Sequence, residues 1–121
     1  MHRSLDLRPE PRAACAAREF VAATLRDAVA GEVAEVAVLL TSELVTNAVV
    51  HARTPIHVVV DVEARTLRVT VADDAPRSPA LRPSSHNHLT GRGLNLVDAL
   101  AGQWGVDPTR EGKKVWFELG A

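Results

Sequence analysis

The chain has 121 residues, and its hydrophobic fraction of 46% and charged fraction of 24% are ordinary for a globular domain that buries its own core. With 14 basic and 15 acidic residues the net charge is -1, which argues against a nonspecific nucleic-acid binder, since such proteins carry a basic surplus. The single cysteine, Cys15, excludes an internal disulfide and favours the reducing cytoplasm. We expect no signal peptide and no membrane segment, because the amino terminus lacks an apolar core and the aliphatic runs are short.

Two helices are predicted in the first half of the chain. Arg12 to Val29 is rich in alanine and unbranched helix formers, and Gly31 is expected to break this first helix. A second helix is predicted from Glu32 to about His51, because apolar residues recur there at helical spacing. These residues are Val33, Val36, Ala37, Leu40, Leu44 and Ala48.

The remainder of the chain predicts strands around one long loop. Ile56 to Glu63 and Leu67 to Asp73 alternate in polarity and are expected to form a hairpin. Residues 75–90 contain several prolines and no apolar periodicity, which is typical of a functional lid or a disordered loop. A short helix, Leu94 to Ala101, and two further strands are predicted after it. The last two strands are Gln103 to Val106 and Val115 to Leu119, and the order of elements predicts an α+β layer with helices on one sheet face.

The second predicted helix carries polar residues at a regular interval. Glu43, Asn47 and His51 lie four residues apart, a spacing that places side chains on one helical stripe, here beside the apolar face. Unpaired polar groups at the border of a core cost about 1–3 kcal/mol each. A magnesium ion with its phosphates would supply partners, since magnesium takes only one or two protein oxygens. The alternative is an amphipathic helix whose polar border repeats.

The end of the second predicted strand carries an inward carboxylate. Strand alternation places Asp73 on the same face as Leu67, Val69 and Val71. A carboxylate in this position, beside a long loop, can anchor an amino group of a ligand. The alternative is an aspartate that begins a loop and accepts a hydrogen bond within its own turn.

The far end of the loop has features of an anion site. Gly91-Arg92-Gly93 directly precedes the predicted short helix, and backbone N–H groups at a helix start bind anions. A plain lid hinge explains the glycines equally well. The segment 75–96 contains Arg77, Arg82 and Arg92 and no acidic residue, so it is either an attractor for polyphosphate or a solvated basic loop.

These motifs occur together in a known superfamily. The string Ser42-Glu43-Leu44-Val45-Thr46-Asn47-Ala48-Val49-Val50-His51-Ala52 closely resembles the N box of the ATPases that include histidine kinases and gyrase-type enzymes. The strand ending in Asp73 resembles the next motif, and Gly91-Arg92-Gly93-Leu94 the glycine motif after the ATP lid. The ending Gly112 to Leu119 resembles the stand-alone anti-sigma-factor serine kinases of Gram-positive bacteria. The resemblance covers nearly all of the chain from Pro11 to Leu119.

The resemblance implies a fold and a set of roles. It implies one domain, 1–121, with a core of about 11–119, a lid of about 75–92, and a two-layer sandwich of helices on a mixed, mostly antiparallel sheet. Asn47 would ligate magnesium that bridges the ATP phosphates, Glu43 would be the general base toward a protein serine, and Asp73 would bind the adenine amino group. The remaining nucleotide-binding candidates are Ala75, Arg77, Gly91, Arg92, Gly93 and Leu94.

The implied function is that of a switch enzyme. Such a protein binds ATP, sequesters a sigma factor, phosphorylates an anti-sigma-factor antagonist on serine and forms a homodimer. Two departures from the family pattern matter. The pattern Asp-x-Gly-x-Gly reads Asp73-Asp74-Ala75-Pro76-Arg77 here, and a hydroxyl residue common after the last glycine turn is replaced by Lys114. Ala75 and Arg77 favour the alternative, a non-catalytic module that binds partners, with or without ATP, and transfers no phosphate. Intact Glu43 and Asn47 favour the enzyme.

Overall fold

A computed structural model describes residues 1–75 and 96–121 of the chain. Five strands in this part of the chain form one open sheet in the order β1-β2-β3-β5-β4. They are β1 (His2–Leu7), β2 (Ile56–Glu63), β3 (Thr66–Asp73), β4 (Gln103–Pro108) and β5 (Lys113–Gly120). The predicted α+β class is confirmed, and the sheet, expected to be mixed and mostly antiparallel, is antiparallel throughout these strands.

Two long helices cover one face of the sheet, as predicted. Helix α1 (Ala13–Leu25) and helix α2 (Gly31–Asn47) pack against each other, and a π-helical turn, Ala48–Ala52, continues α2. Helix α1 ends before the predicted Val29, and Gly31 is the first residue of α2 rather than the break. The break lies at Ala30, whose ψ of 147° is extended.

The core lies between the helices and the inward side chains of the strands. Alanines on α1 allow the two helices to approach each other closely, while β-branched and aromatic residues fill the sheet side. The largest buried side chains are Val21, Leu25, Leu40, Val45, Ile56, Val58, Val60, Leu67, Val69, Val97 and Phe117. The predicted hairpin of β2 and β3 is confirmed, with a link of only two residues and Ala64 at a left-handed φ of 51°.

Strand β1, which was not predicted from the sequence, lies at one edge of the sheet. Only Leu5 and Leu7 of this strand are partly buried, so the apolar alternation is too short to stand out. The strand is held by pairing with β2 along its whole length. On the uncovered face the cross-strand partners His2 and Asp61 are hydrogen-bonded, so polar side chains add to the pairing.

The uncovered face of the sheet also holds a tryptophan. Trp116 on β5 lies beneath the Arg68 guanidinium, whose carbon is 4.0 Å from the ring centroid. On the neighbouring strand, a Cβ added to Gly105 would lie 2.9 Å from the indole, so only glycine leaves room for the ring. The indole is therefore fixed between β3 and β4.

The helical segment from Gly31 to Ala52 is 22 residues long and apolar enough, by length and composition, to cross a bilayer. It packs against α1, β3 and β5, as the core helix of a globular domain does. Length and composition alone therefore do not assign it to a membrane, although the continuous helix is longer than the aliphatic runs in the sequence indicated.

Candidate functional site

The polar stripe predicted on the second helix is only partly formed. Glu43 and Asn47 both lie on α2 and are half-buried, one helical turn apart, as expected. His51 is exposed and does not continue the stripe. His51 lies in the π-helical turn that follows α2, where the regular i, i+4 spacing of an α-helix no longer applies.

The π-helical turn begins directly after Asn47. Its closing hydrogen bond runs from the Arg53 backbone N–H to the Ala48 carbonyl oxygen, at 3.1 Å, and Arg53 has a left-handed φ of 57°. Such turns are rare and occur frequently at functional sites. Sequence periodicity could not reveal this turn, because the apolar spacing is compatible with a regular helix up to His51.

Asp73 lies on the covered face, as strand alternation predicted. Its carboxylate is only 3% exposed and has two partners. Oδ1 accepts a hydrogen bond from the Ala75 backbone N–H at 3.0 Å, and Oδ2 accepts one from the Lys113 ammonium at 2.7 Å. The first contact is the local turn foreseen as the alternative role. Each carboxylate oxygen can accept two hydrogen bonds, so these contacts leave capacity for a ligand donor.

Lys113, the partner of this carboxylate, was not predicted as a site residue. The neighbouring Lys114, noted as a departure from the family pattern, pairs in register with Ala72 and lies exposed on the uncovered face. Lys113 is opposite Asp73 and shares the covered face with Phe117. Counting alternate residues back from Phe117 would have found it, but β5 was predicted to begin only at Val115.

Three segments converge on the end of β3. Thr54, which follows the π-helical turn, accepts a hydrogen bond through Oγ1 from the Asp74 backbone N–H at 2.9 Å. Gly112, at the start of β5, lies so close that an added Cβ would be 2.0 Å from the Asp73 carbonyl oxygen. The connection after α2, the end of β3 and the start of β5 are therefore held together at one end of the inner strands of the sheet.

The polar groups described at this end of the strands do not form a closed metal centre. Within residues 1–75 and 96–121, no three histidine, cysteine or acidic side chains are grouped to hold a metal ion. This end of the sheet instead offers a buried carboxylate beside an ammonium. Such a pair can bind a polar ligand through hydrogen bonds.

The other predicted site residues fall mostly on the long loop. Ala75 is half-buried at the end of the described segment, where its N–H binds Asp73. Arg77, Gly91, Arg92, Gly93 and Leu94 lie outside the described residues. Residues 96–100, at the end of the predicted short helix, are helical, and Val97 is buried in the core.

Comparison with protein families agrees with the fold. A model of the histidine kinase-like ATPase domain matches residues 7–119, which include both long helices, Asp73 and the described sheet except nearly all of β1 and the last residue of β5. No individual curated protein matches the chain significantly. Since the match spans almost the whole sequence, the chain belongs to the histidine kinase-like ATPase domain family.

Proposed function

We propose that this chain binds ATP with magnesium and acts as a regulatory protein serine/threonine kinase. The observation that carries the proposal is the buried Asp73 carboxylate at the end of β3, on the helix-covered face, in a chain of the ATPase domain family. A buried acceptor at a strand end suits the amino group of adenine, because a buried carboxylate needs donors.

The residues present fit both groups. Asp73 would hold the adenine amino group, and the Asn47 amide oxygen on α2 would ligate magnesium, which completes its shell with phosphate oxygens and water. When bound, magnesium would neutralise charge on the phosphates. Glu43, one turn before Asn47 on the same half-buried stripe, is the candidate to accept the proton of a serine hydroxyl.

The resemblance to anti-sigma-factor kinases supports a finer proposal. The protein substrate would be an anti-sigma-factor antagonist phosphorylated on serine, and the chain would sequester a sigma factor as a cytoplasmic homodimer. The second candidate function is a non-catalytic binding module. The absence of both glycines after Asp73 favours it, since Ala75 before Pro76 is restricted to extended backbone.

A pair of variants on α2 separates binding from phosphoryl transfer. Asn47→Ala is expected to remove the magnesium-dependent part of ATP affinity, measured by calorimetry with and without magnesium. Glu43→Ala is expected to keep ATP affinity within a few fold and to slow phosphoserine formation on an antagonist protein by about 10²–10⁴-fold.

Glu35→Ala is the matched control, because Glu35 lies on the same helix, carries the same charge and is exposed. It is expected to change neither ATP binding nor transfer. If the native chain binds ATP but phosphorylates no antagonist, the module without catalysis is the correct function. If it binds no ATP at all, the kinase is wrong, and of the second candidate only a module that binds partners without ATP is left.

A further inference from the structure

Lys113 places a cation next to the carboxylate proposed to read the base. Its ammonium nitrogen is 2.7 Å from Asp73 Oδ2, and its side chain is 17% exposed, so the ammonium lies at the border between the core and solvent. A ligand group that approaches Asp73 must therefore also meet this ammonium. The rim of the site offers a hydrogen-bond donor directly beside an acceptor.

The backbone holds this pair in a fixed arrangement. Asp73 and Lys113 are opposite each other in the antiparallel register of β3 and β5. The close approach of Gly112 to the Asp73 backbone prevents the start of β5 from shifting toward or along β3. The Ala75 N–H fixes the other carboxylate oxygen. Neither the Asp73 carboxylate nor the Cα of Lys113 can easily move away from a ligand.

We infer that Lys113 is a specificity-determining residue that donates a hydrogen bond to N1 of the adenine ring while Asp73 accepts one from the 6-amino group. This inference rests on the proposed function, because it assigns a second contact within the same nucleotide site. Adenine presents a donor beside an acceptor on this edge, which matches a carboxylate beside an ammonium.

The same pair discriminates against guanine. In the orientation that suits adenine, guanine presents its O6 acceptor to the Asp73 carboxylate and its N1–H donor to the Lys113 ammonium. Both positions then bring like groups together, and a site with unmatched buried polar groups rejects such a ligand strongly. Lys113 thus adds a second discriminating contact to that of Asp73.

The test compares ATP with 1-deaza-ATP, in which a C–H group replaces N1. Calorimetry on the wild-type chain is expected to show that 1-deaza-ATP binds about 10-fold more weakly or worse, the loss typical of a hydrogen bond from a charged donor. In Lys113→Met the preference for ATP is expected to fall below about 3-fold. The replacement of N1 also changes the electronics of the ring. This effect is the same for wild type and Lys113→Met, so it cancels when the two preferences for ATP are compared.

The matched control is Lys114→Met, which removes the same charge from the neighbouring residue on the uncovered face. It is expected to keep the wild-type preference for ATP. An equal preference in Lys113→Met and Lys114→Met would overturn the inference while leaving ATP binding intact. Tighter ATP binding by Lys113→Met would also overturn it, because Lys113 would then mask Asp73 rather than read the base.

The outcomes also distinguish this inference from the proposed function. If wild type and Lys114→Met bind neither nucleotide, the nucleotide site itself is wrong and the role of Lys113 falls with it. Circular dichroism checks that Lys113→Met is folded. If it is not, Lys113→Gln keeps a neutral donor for Asp73, and its preference for ATP is expected to be at least about 3-fold lower than that of wild type. An unchanged preference in that variant overturns the inference.

Discussion

Two ion pairs connect the same strands, β3 and β5, and differ mainly in the face on which they lie. Asp73–Lys113 has an N···O distance of 2.7 Å with side chains 3% and 17% exposed, whereas Arg68–Glu118 has 2.8 Å with side chains 41% and 24% exposed. Both pairs join residues directly opposite in register. Register and N···O distance are therefore nearly the same in the two pairs, which differ in exposure and in the additional contact of Arg68 with Trp116.

Exposure to solvent determines how much each ion pair contributes to the stability of the fold. On the uncovered face water and salt screen the charges, and Arg68 also stacks on Trp116, so Glu118 is not its sole partner. On the covered face a lost partner leaves a charge that water cannot reach easily. The two faces of one sheet thus hold a replaceable pair and one that cannot be broken without cost, and the second lies at the proposed ligand site.

The largest effect is expected from Gly112→Ala, because the added methyl group would clash with the backbone next to the buried ion pair. The new Cβ would lie 2.0 Å from the Asp73 carbonyl oxygen and 2.7 Å from the Asp74 Cα, so the start of β5 must separate from β3. We expect a loss of about 4 kcal/mol or more in the free energy of unfolding, or no folding at all.

Gly120→Ala at the other end of β5 is the control for this change. An added Cβ there has no neighbour within 4 Å, so chemical denaturation should show a change below about 0.5 kcal/mol. Similar stability of the two alanine variants would mean that β3 and β5 are less tightly apposed at the site than the structure indicates.

Lys113→Met breaks the buried pair without moving the backbone. Asp73 keeps the Ala75 N–H but loses its cation, and we expect about 3 kcal/mol of destabilisation, the low end for a buried pair because the ammonium is partly exposed. Since the buried charges are shielded from salt, this loss in the free energy of unfolding should change little between about 0.05 and 1 M salt. The same chemical denaturation assay measures it. Lys114→Met, on the other face, should stay within about 0.5 kcal/mol.

Gly105→Ala is the counterpart of Gly112→Ala on the uncovered face. Its Cβ would meet the Trp116 indole at 2.9 Å, but a side chain bordering solvent can turn away where a backbone cannot. We expect a loss of about 1–2 kcal/mol, together with a shift in tryptophan fluorescence as the ring becomes more exposed. A loss as large as that of Gly112→Ala would contradict the distinction between the two faces.

Much of the covered face was predictable from sequence, since period-two alternation in β2 and β3 and helical spacing in α2 reflect burial directly. Asp73 was found in this way. The uncovered face was less predictable. Strand β1 depends on long-range pairing with β2, and neither its polar residues nor its two leucines reveal this alone. The role of Trp116 depends on Gly105 in a strand that is distant in sequence.

Within the site, the predictions were wrong at the ends of helices and strands, where the position of the boundary decides on which face a residue lies. Extending β5 from the predicted Val115 to Lys113 brings a lysine onto the covered face beside Asp73. After Asn47 a π-helical turn replaces the expected α-helical turn, and His51 within it is exposed, whereas Asn47 is half-buried. Element boundaries are the least reliable part of a prediction from local pattern, because tertiary contacts set them. Candidate site residues at the ends of helices and strands are therefore the hardest to predict from sequence.

The smallest effect is expected for Glu118→Gln, which removes the carboxylate charge of the less buried pair and keeps the size of the side chain. The Arg68 guanidinium remains stacked on Trp116 and can still be solvated, so no buried charge is left without a partner. We expect a loss of only about 0.5 kcal/mol in low salt, which disappears near 1 M salt because the pair is screened. Denaturation of Glu118→Gln beside Lys113→Met at both salt concentrations measures the contrast directly. If the Glu118→Gln loss were as large as that of Lys113→Met and equally independent of salt, burial would not be what separates the two pairs, and the structural reason for placing ligand recognition on the covered face would weaken with it.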